Sequence, residues 1–151
     1  MVDSSELMLG NVVYRRVLVK EAPLGTNPYT WEPAHVVGIK PAHVSLRSPN
    51  SNIENISVDN LRPVPLSADA LARMGFEIKE RFSLSEHWTH KETDSFQRLY
   101  VDKEFKTFGV NTKPMRNPKY VHNRHLHQLQ NAWCAATGAT LLFPLMKLKP
   151  A

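Results

Sequence analysis

The sequence predicts an α+β protein in which an N-terminal SH3-like small β-barrel is followed by an antiparallel β-meander with two helices. Three observations carry that reading. Runs of β-branched and aromatic residues recur between short polar turns along residues 7–58, the pattern of a small antiparallel barrel or curled sheet. The segment Asp59–Leu66 then holds Pro63 and Pro65, which keep the backbone extended and exclude it from a central strand. Beyond it, strand-like runs resume between two segments with helix signals. The boundary is placed at the proline segment, with 1–66 as the barrel and 67–151 as the helix, meander and C-terminal helix.

Taken in order, residues 7–20 are rich in Val, Leu and Tyr with a Gly10-Asn11 break, and read as a strand pair or one bent strand. Ala22–Trp31 holds Pro23, Gly25, Asn27 and Pro28 and reads as a loop. Tyr29 and Trp31 at its end are either exposed recognition aromatics or the lid of the core, the lid being favoured because large rings are usually buried. Strands are expected at His35–Lys40, Ala42–Leu46 and Ile53–Val58. Ser67 should cap a short helix over Ala68–Met74, with Asp69 near its positive end and Gly75 just past its last turn. Phe76 should fold back to close that helix.

From Phe76 to Val110, the runs 76–79, 87–90, 96–101 and 105–110 alternate apolar and polar residues between polar turns, as half-buried antiparallel strands do. Asn111–Pro118 reads as a loop and Tyr120-Val121 as a short strand. The last helix is expected over Asn123–Thr137 and stopped by Gly138, with Leu126, Leu129, Trp133 and Ala136 as its apolar stripe. Thr140–Phe143 should return as an edge strand or a packed tail.

The chain has 151 residues, 42% of them hydrophobic and 22% charged, a globular composition rather than a disordered one. No apolar run reaches the length of a membrane span, no signal peptide is evident, and a single cysteine, Cys134, fits a reducing compartment. A cytoplasmic protein is therefore expected, with no membrane partner.

Charge is distributed unevenly. In residues 1–66, Arg15, Arg16, Lys20, Lys40, Arg47 and Arg62 balance Asp3, Glu6, Glu21, Glu32, Glu54 and Asp59, so the whole net charge of +5 lies in the second part. Glu104 is the last acidic side chain, and Lys106, Lys113, Arg116, Lys119, Arg124, Lys147 and Lys149 follow it. Such a segment attracts anions, although the same side chains could form an ordinary solvated surface. Because its cations alternate with Phe105, Phe108, Tyr120 and histidines, it suits a nucleotide or single-stranded nucleic acid, whose phosphates take cations and whose bases stack on rings. The expected ligand-binding residues are Lys106, Lys113, Arg116, Lys119, Arg124, Tyr120, His122 and His125.

Catalysis finds less support. His122, His125 and His127 lie close together, but on a helix His127 is rotated away from His125 and Cys134 is badly placed to close a zinc site. Cys134 sits among apolar residues, where an inert buried thiol is the ordinary case, and His87 and His90 beside Trp88 read as surface or rim residues. No phosphate-binding glycine loop occurs. No catalytic residue, metal or cofactor is expected.

Two blocks carry a resemblance. Arg62–Phe76, RPVPLSADALARMGF, resembles the block PIPLTxExLxxxGF, and His125–Gly138, HLHQLQNAWCAATG, resembles YVHQLQNLYxALTG. Both blocks, and the opening Leu9–Tyr14, are similar to those of small uncharacterised proteins of Bacteroidales-type genomes, phages and mobile elements. The final block departs from the pattern at His125 and lacks the acidic pair that often follows the glycine. The resemblance transfers no catalytic residue. It implies a phage or mobile-element setting, in which many accessory proteins counter host defence, and so a non-enzymatic protein that sequesters a nucleotide signal or binds nucleic acid. The alternative is a structural or protein-interaction component, such as a minor virion protein or an adaptor using the loop Ala22–Trp31. Self-association fits either reading, and an enzyme with an unfamiliar site is the third.

Overall fold

The computed structural model describes residues 2–19, 21, 23–49, 52–92, 97–111 and 125–145. Contacts divide the chain into two compact units, one reaching from the N-terminus to Val64 and the other from Pro65 to Pro144. Each unit is built around its own antiparallel sheet, and each of the two helices belongs to the second unit.

The first sheet contains β1 (Val12–Leu18), β2 (Tyr29–Ile39), β3 (His43–Arg47), β4 (Glu54–Ser57) and β5 (Leu61–Pro63), in the order β4-β3-β2-β1-β5. Residues 7–20 thus hold one strand, not a pair. The Gly10 N–H donates to the Val36 carbonyl at 2.8 Å, and Asn11 Oδ1 accepts from the Met8 N–H at 2.8 Å, so the Gly-Asn break is a turn that delivers the chain into β1. A 3-10 turn over Val58–Asn60 leads into β5, which pairs with the free side of β1. There Pro63 sits on a three-residue edge strand, a place where a missing N–H costs no ladder bond. Neither sheet closes among the described residues, so the α+β class holds while the N-terminal sheet is open.

Alternation along the strands puts Val13, Ala34, Val36, Val44, Leu46 and Leu61 on one face, where they form the core with Val2 and Leu7 from the N-terminal segment. Arg15 lies on this inner face as well, opposite Glu32 and Leu61. Its guanidinium pairs with Glu32 at 3.1 Å and with Glu54, and its side chain is only 9% exposed.

In the second unit, Ser67 caps α1 (Ala68–Arg73): its Oγ accepts the Ala70 N–H at 3.1 Å. Gly75 follows at φ +94°, a conformation that an L side chain adopts only under strain. We expect Ser67→Ala to destabilise this unit by about 1 kcal/mol, read as a lower urea midpoint at unchanged slope. The meander then runs as β6 (Phe76–Arg81), β7 (Ser85–His90), β8 (Arg98–Asp102) and β9 (Phe108–Asn111), each paired with the next.

Helix α2 (Leu126–Thr137) starts later than the sequence suggests, from His125 in extended conformation, and ends at Gly138 with φ 76°. Leu126, Leu129 and Trp133 are buried, whereas Ala136 is exposed, so the apolar stripe stops one turn early. Trp133 meets Phe76 edge to face at 5.0 Å. The segment after α2 is a packed tail and not a strand: Leu141 and Phe143 are buried, and the Gln130 amide donates to the Leu141 carbonyl at 2.9 Å.

Candidate functional site

Of the eight residues expected to bind a ligand, Lys113, Arg116, Lys119, Tyr120, His122 and Arg124 lie outside the described residues, as do the loop 112–118, the Tyr120-Val121 strand and the first residues of the expected final helix. The two described ones are engaged. Lys106 stands in the β8–β9 turn, where the Asp102 carboxylate accepts the N–H groups of Lys106 and Thr107, and its ammonium pairs with Glu104 at 2.6 Å. His125 forms an isolated bridge with Pro65, and its ring stacks on His127 at 5.8 Å. That stacking corrects the sequence reading, in which His127 faces away. Helical rotation does not apply to His125 because the helix starts after it.

His87 and His90 are held by the fold as well: His87 is buried, contrary to the expectation of a surface or rim residue, and His90 is half-buried. The His90 ring sits edge-on to Phe76 at 5.1 Å. Its Nε2 is 2.8 Å from the Met74 carbonyl, and its Nδ1 accepts the Glu92 N–H, an arrangement that places the proton on Nε2. This ring ties the end of α1 to the β7 turn. His87 is buried and stacked on Tyr100 at 4.9 Å, and its Nε2 makes no hydrogen bond among the described residues.

Burial holds the His87 imidazole below its ordinary value of 6.5, helped by Arg98 and Lys79 and opposed by Glu80. A depressed value in the folded state means that the unfolded chain takes up the proton first. The stabilisation from neutral His87 is therefore fully present above pH 6.5 and is lost as pH falls towards the lowered folded-state value. We expect the urea midpoint to fall between pH 8 and pH 5, and His87→Phe, which keeps the stack on Tyr100, to remove part of that fall.

Cys134 is half-buried, not enclosed as its apolar neighbours in sequence imply, because the next turn of α2 is already exposed. Among the described residues, no three His, Cys, Asp or Glu side chains gather where they could hold a metal ion.

A different surface stands out, on the outer face of the N-terminal sheet. Tyr14 and Arg16 on β1 point there, with Tyr29, Trp31 and His35 on β2, Arg47 on β3 and Arg62 on β5, since residues two apart share a face and the inner positions are already assigned to the core. Register brings the central ones together: Arg16 is directly opposite Trp31, Tyr29 opposite Leu18, and Arg62 opposite Tyr14. The Arg62 guanidinium lies over the Trp31 ring, 4.2 Å from its centre, and the Arg16 guanidinium lies over Tyr29 at 4.5 Å. The result is a row in which cations and rings alternate: Arg62, Trp31, Arg16, Tyr29.

Both guanidinium groups are exposed, and Arg16 also donates to the Asn60 side chain at 2.8 Å. Among the described residues, no carboxylate forms an ion pair with Arg16, Arg47 or Arg62. A guanidinium on an exposed ring gains about 0.5–1 kcal/mol, less than the roughly 1.5–3 kcal/mol of a hydrogen bond to a charged group, so an anion can draw these side chains off their rings. Tyr29 and Trp31 are therefore neither a lid on the core nor bare platforms. They are outward rings covered by cations.

Comparison with family models, with curated protein sequences and with solved structures finds no match. The site therefore rests on its own chemistry. The sequence offers Tyr29 and Trp31 as recognition aromatics only as the less favoured alternative to a lid, and does not single out Arg16 and Arg62, because these residues are far apart in the chain; the available signal is the alternation in Tyr14-Arg15-Arg16 and Tyr29-Thr30-Trp31, which puts an aromatic or a cation on the same side at each second position.

Proposed function

We propose that this protein is a non-enzymatic binding protein for an anionic partner of the nucleotide or nucleic-acid class. The observation that carries the reading is the outer face of the first sheet, where Arg16, Arg47 and Arg62 are exposed without a carboxylate partner among the described residues. The chain beyond Glu104 has no acidic side chain and carries Lys113, Arg116, Lys119 and Arg124, a second, independent feature of the sequence that favours an anionic partner. We read the first sheet as an open SH3-like form, because its last strand returns after a 3-10 turn to pair with its first. With the sequence blocks described above, the setting is the cytoplasm of a bacterial host of a phage or mobile element, where capture of a nucleotide signal or a nucleic acid would serve anti-defence.

Isothermal titration against cyclic and linear nucleotides and short oligonucleotides, at low salt, tests the reading. Saturable binding to at least one of them is expected, and no heat from any of them overturns it.

One observation favours a protein-interaction role instead. Leu24 at the tip of the β1–β2 loop is wholly exposed, and Leu18 and Val19 at the foot of that loop are 58% and 42% exposed. Exposed apolar side chains clustered on a loop are a common mark of a protein contact. Light scattering and a pull-down in which Leu24→Asp loses a retained protein would support this alternative.

A further inference from the structure

The alternating row on the first sheet combines two features that a single-stranded nucleic acid needs at once. Its backbone requires cations at regular intervals, and its unpaired bases require flat apolar faces. Here the two are interleaved at the spacing of a sheet: neighbouring strands are about 4.8 Å apart and alternate residues of a strand about 6.8 Å apart, so the row presents cation, ring, cation, ring over the reach of two or three nucleotides. The rings are aromatic and sequence-blind, and among the described residues no outward strand position of this sheet holds an acid: Glu32 and Glu54, the acids on β2 and β4, pair with Arg15 on the inner side.

We infer that Arg62, Trp31, Arg16 and Tyr29 form a binding platform for single-stranded nucleic acid, in which each guanidinium leaves its ring for a phosphate and a base stacks in its place. This assignment rests on the anionic-partner reading above, and it adds the class of ligand and the residues that read it. In the free protein, the guanidinium covers the ring that the base will occupy, which keeps the aromatic face from being an open apolar patch. A duplex does not fit as well, because its bases are already stacked and only its phosphates would be available. An acidic peptide could pair the arginines but would have nothing to lay on Trp31.

Fluorescence titration separates these cases, because Trp88 and Trp133 are buried and Trp31 is half-buried on the face itself. The probes are an oligothymidylate of about ten nucleotides, a duplex of the same length and an oligoglutamate, each followed across a range of salt concentrations. The expected result is saturable quenching by the oligothymidylate, tighter than by the duplex or the oligoglutamate. Arg16→Gln with Arg62→Gln should weaken it at least tenfold and lower the slope of log K against log salt by about 1.4, from two phosphate contacts at roughly 0.7 each. Trp31→Leu should weaken binding by about tenfold with the salt slope unchanged, which distinguishes stacking from charge.

Circular dichroism and thermal midpoints check that both variants remain folded. Should the double variant not fold, Arg62→Gln alone, on the edge strand, takes its place with half the slope change. Three results overturn the platform: binding of the oligothymidylate that the variants leave unchanged, equal or tighter binding of the duplex, and equal or tighter binding of oligoglutamate. In each of these the broader anionic-partner reading survives. If the unaltered protein binds no probe here and no nucleotide in the titration above, both fail together.

Discussion

Trp133→Ala is expected to cost about 3–5 kcal/mol, the range for removing a large buried aromatic side chain. Against a total stability of about 5–15 kcal/mol for a domain, that change is a large share of the margin. The reason is geometric. Trp133 is fully buried, meets Phe76 edge to face at 5.0 Å and lies 6.3 Å from the His90 ring, so a single truncation leaves a cavity where α2, β6 and β7 converge. Its indole Nε1 makes no hydrogen bond among the described residues. Trp133→Phe keeps a ring against Phe76 and omits that donor, so it is expected to cost clearly less than the alanine variant. Urea unfolding followed by circular dichroism reads both, and equal losses in the two variants would show that volume and the edge contact are not what holds the site.

The second large effect is expected at Arg15. Arg15→Met should destabilise the first unit by roughly 2–3 kcal/mol, somewhat below the 3–5 kcal/mol seen when one member of a fully buried ion pair is removed. The discount follows from exposure: Arg15 is 9% exposed, Glu32 27% and Glu54 48%, so the outer carboxylate keeps much of its hydration. Most of the loss comes from Glu32, which stays beside the core without its cation. Adding Glu32→Leu to Arg15→Met should recover part of the stability, because an apolar pair there removes both desolvation penalties. A double cycle in urea measures the coupling, and full additivity would mean that Arg15 acts only as a packing stem.

These two sites show how differently the sequence reveals its parts. The packing role of Trp133 is legible, because Leu126, Leu129 and Trp133 recur at helical spacing and Gly138 stops the helix. The helix start is less so: His125, two residues before His127, looks like part of the same helix until the bridge to Pro65 holds it extended. His87 and His90 flank Trp88 and look like surface or rim residues, yet the pairing of β7 with β6 and β8 buries one and ties the other to Met74. Arg15 and Arg16 are adjacent identical residues. Nothing local says that one joins the core beside Glu32 and Glu54 while the other lies on Tyr29; the phase of β1 against β2 decides it.

Residue type alone sets the local events: the α+β class, the proline exit near residue 63, the Ser67 cap, the glycine stops at 75 and 138, the alternating strands of the meander and the loss of acidic side chains after Glu104. Each depends on a backbone preference or a charge that a residue carries wherever it is placed. Long-range pairing sets the rest: β5 returns to β1, the first sheet is open among the described residues, and Arg16, Trp31 and Arg62 meet on one face. Those depend on strand register across long stretches of chain, and register is a property of pairing: a shift of one residue would send each of these side chains to the opposite face.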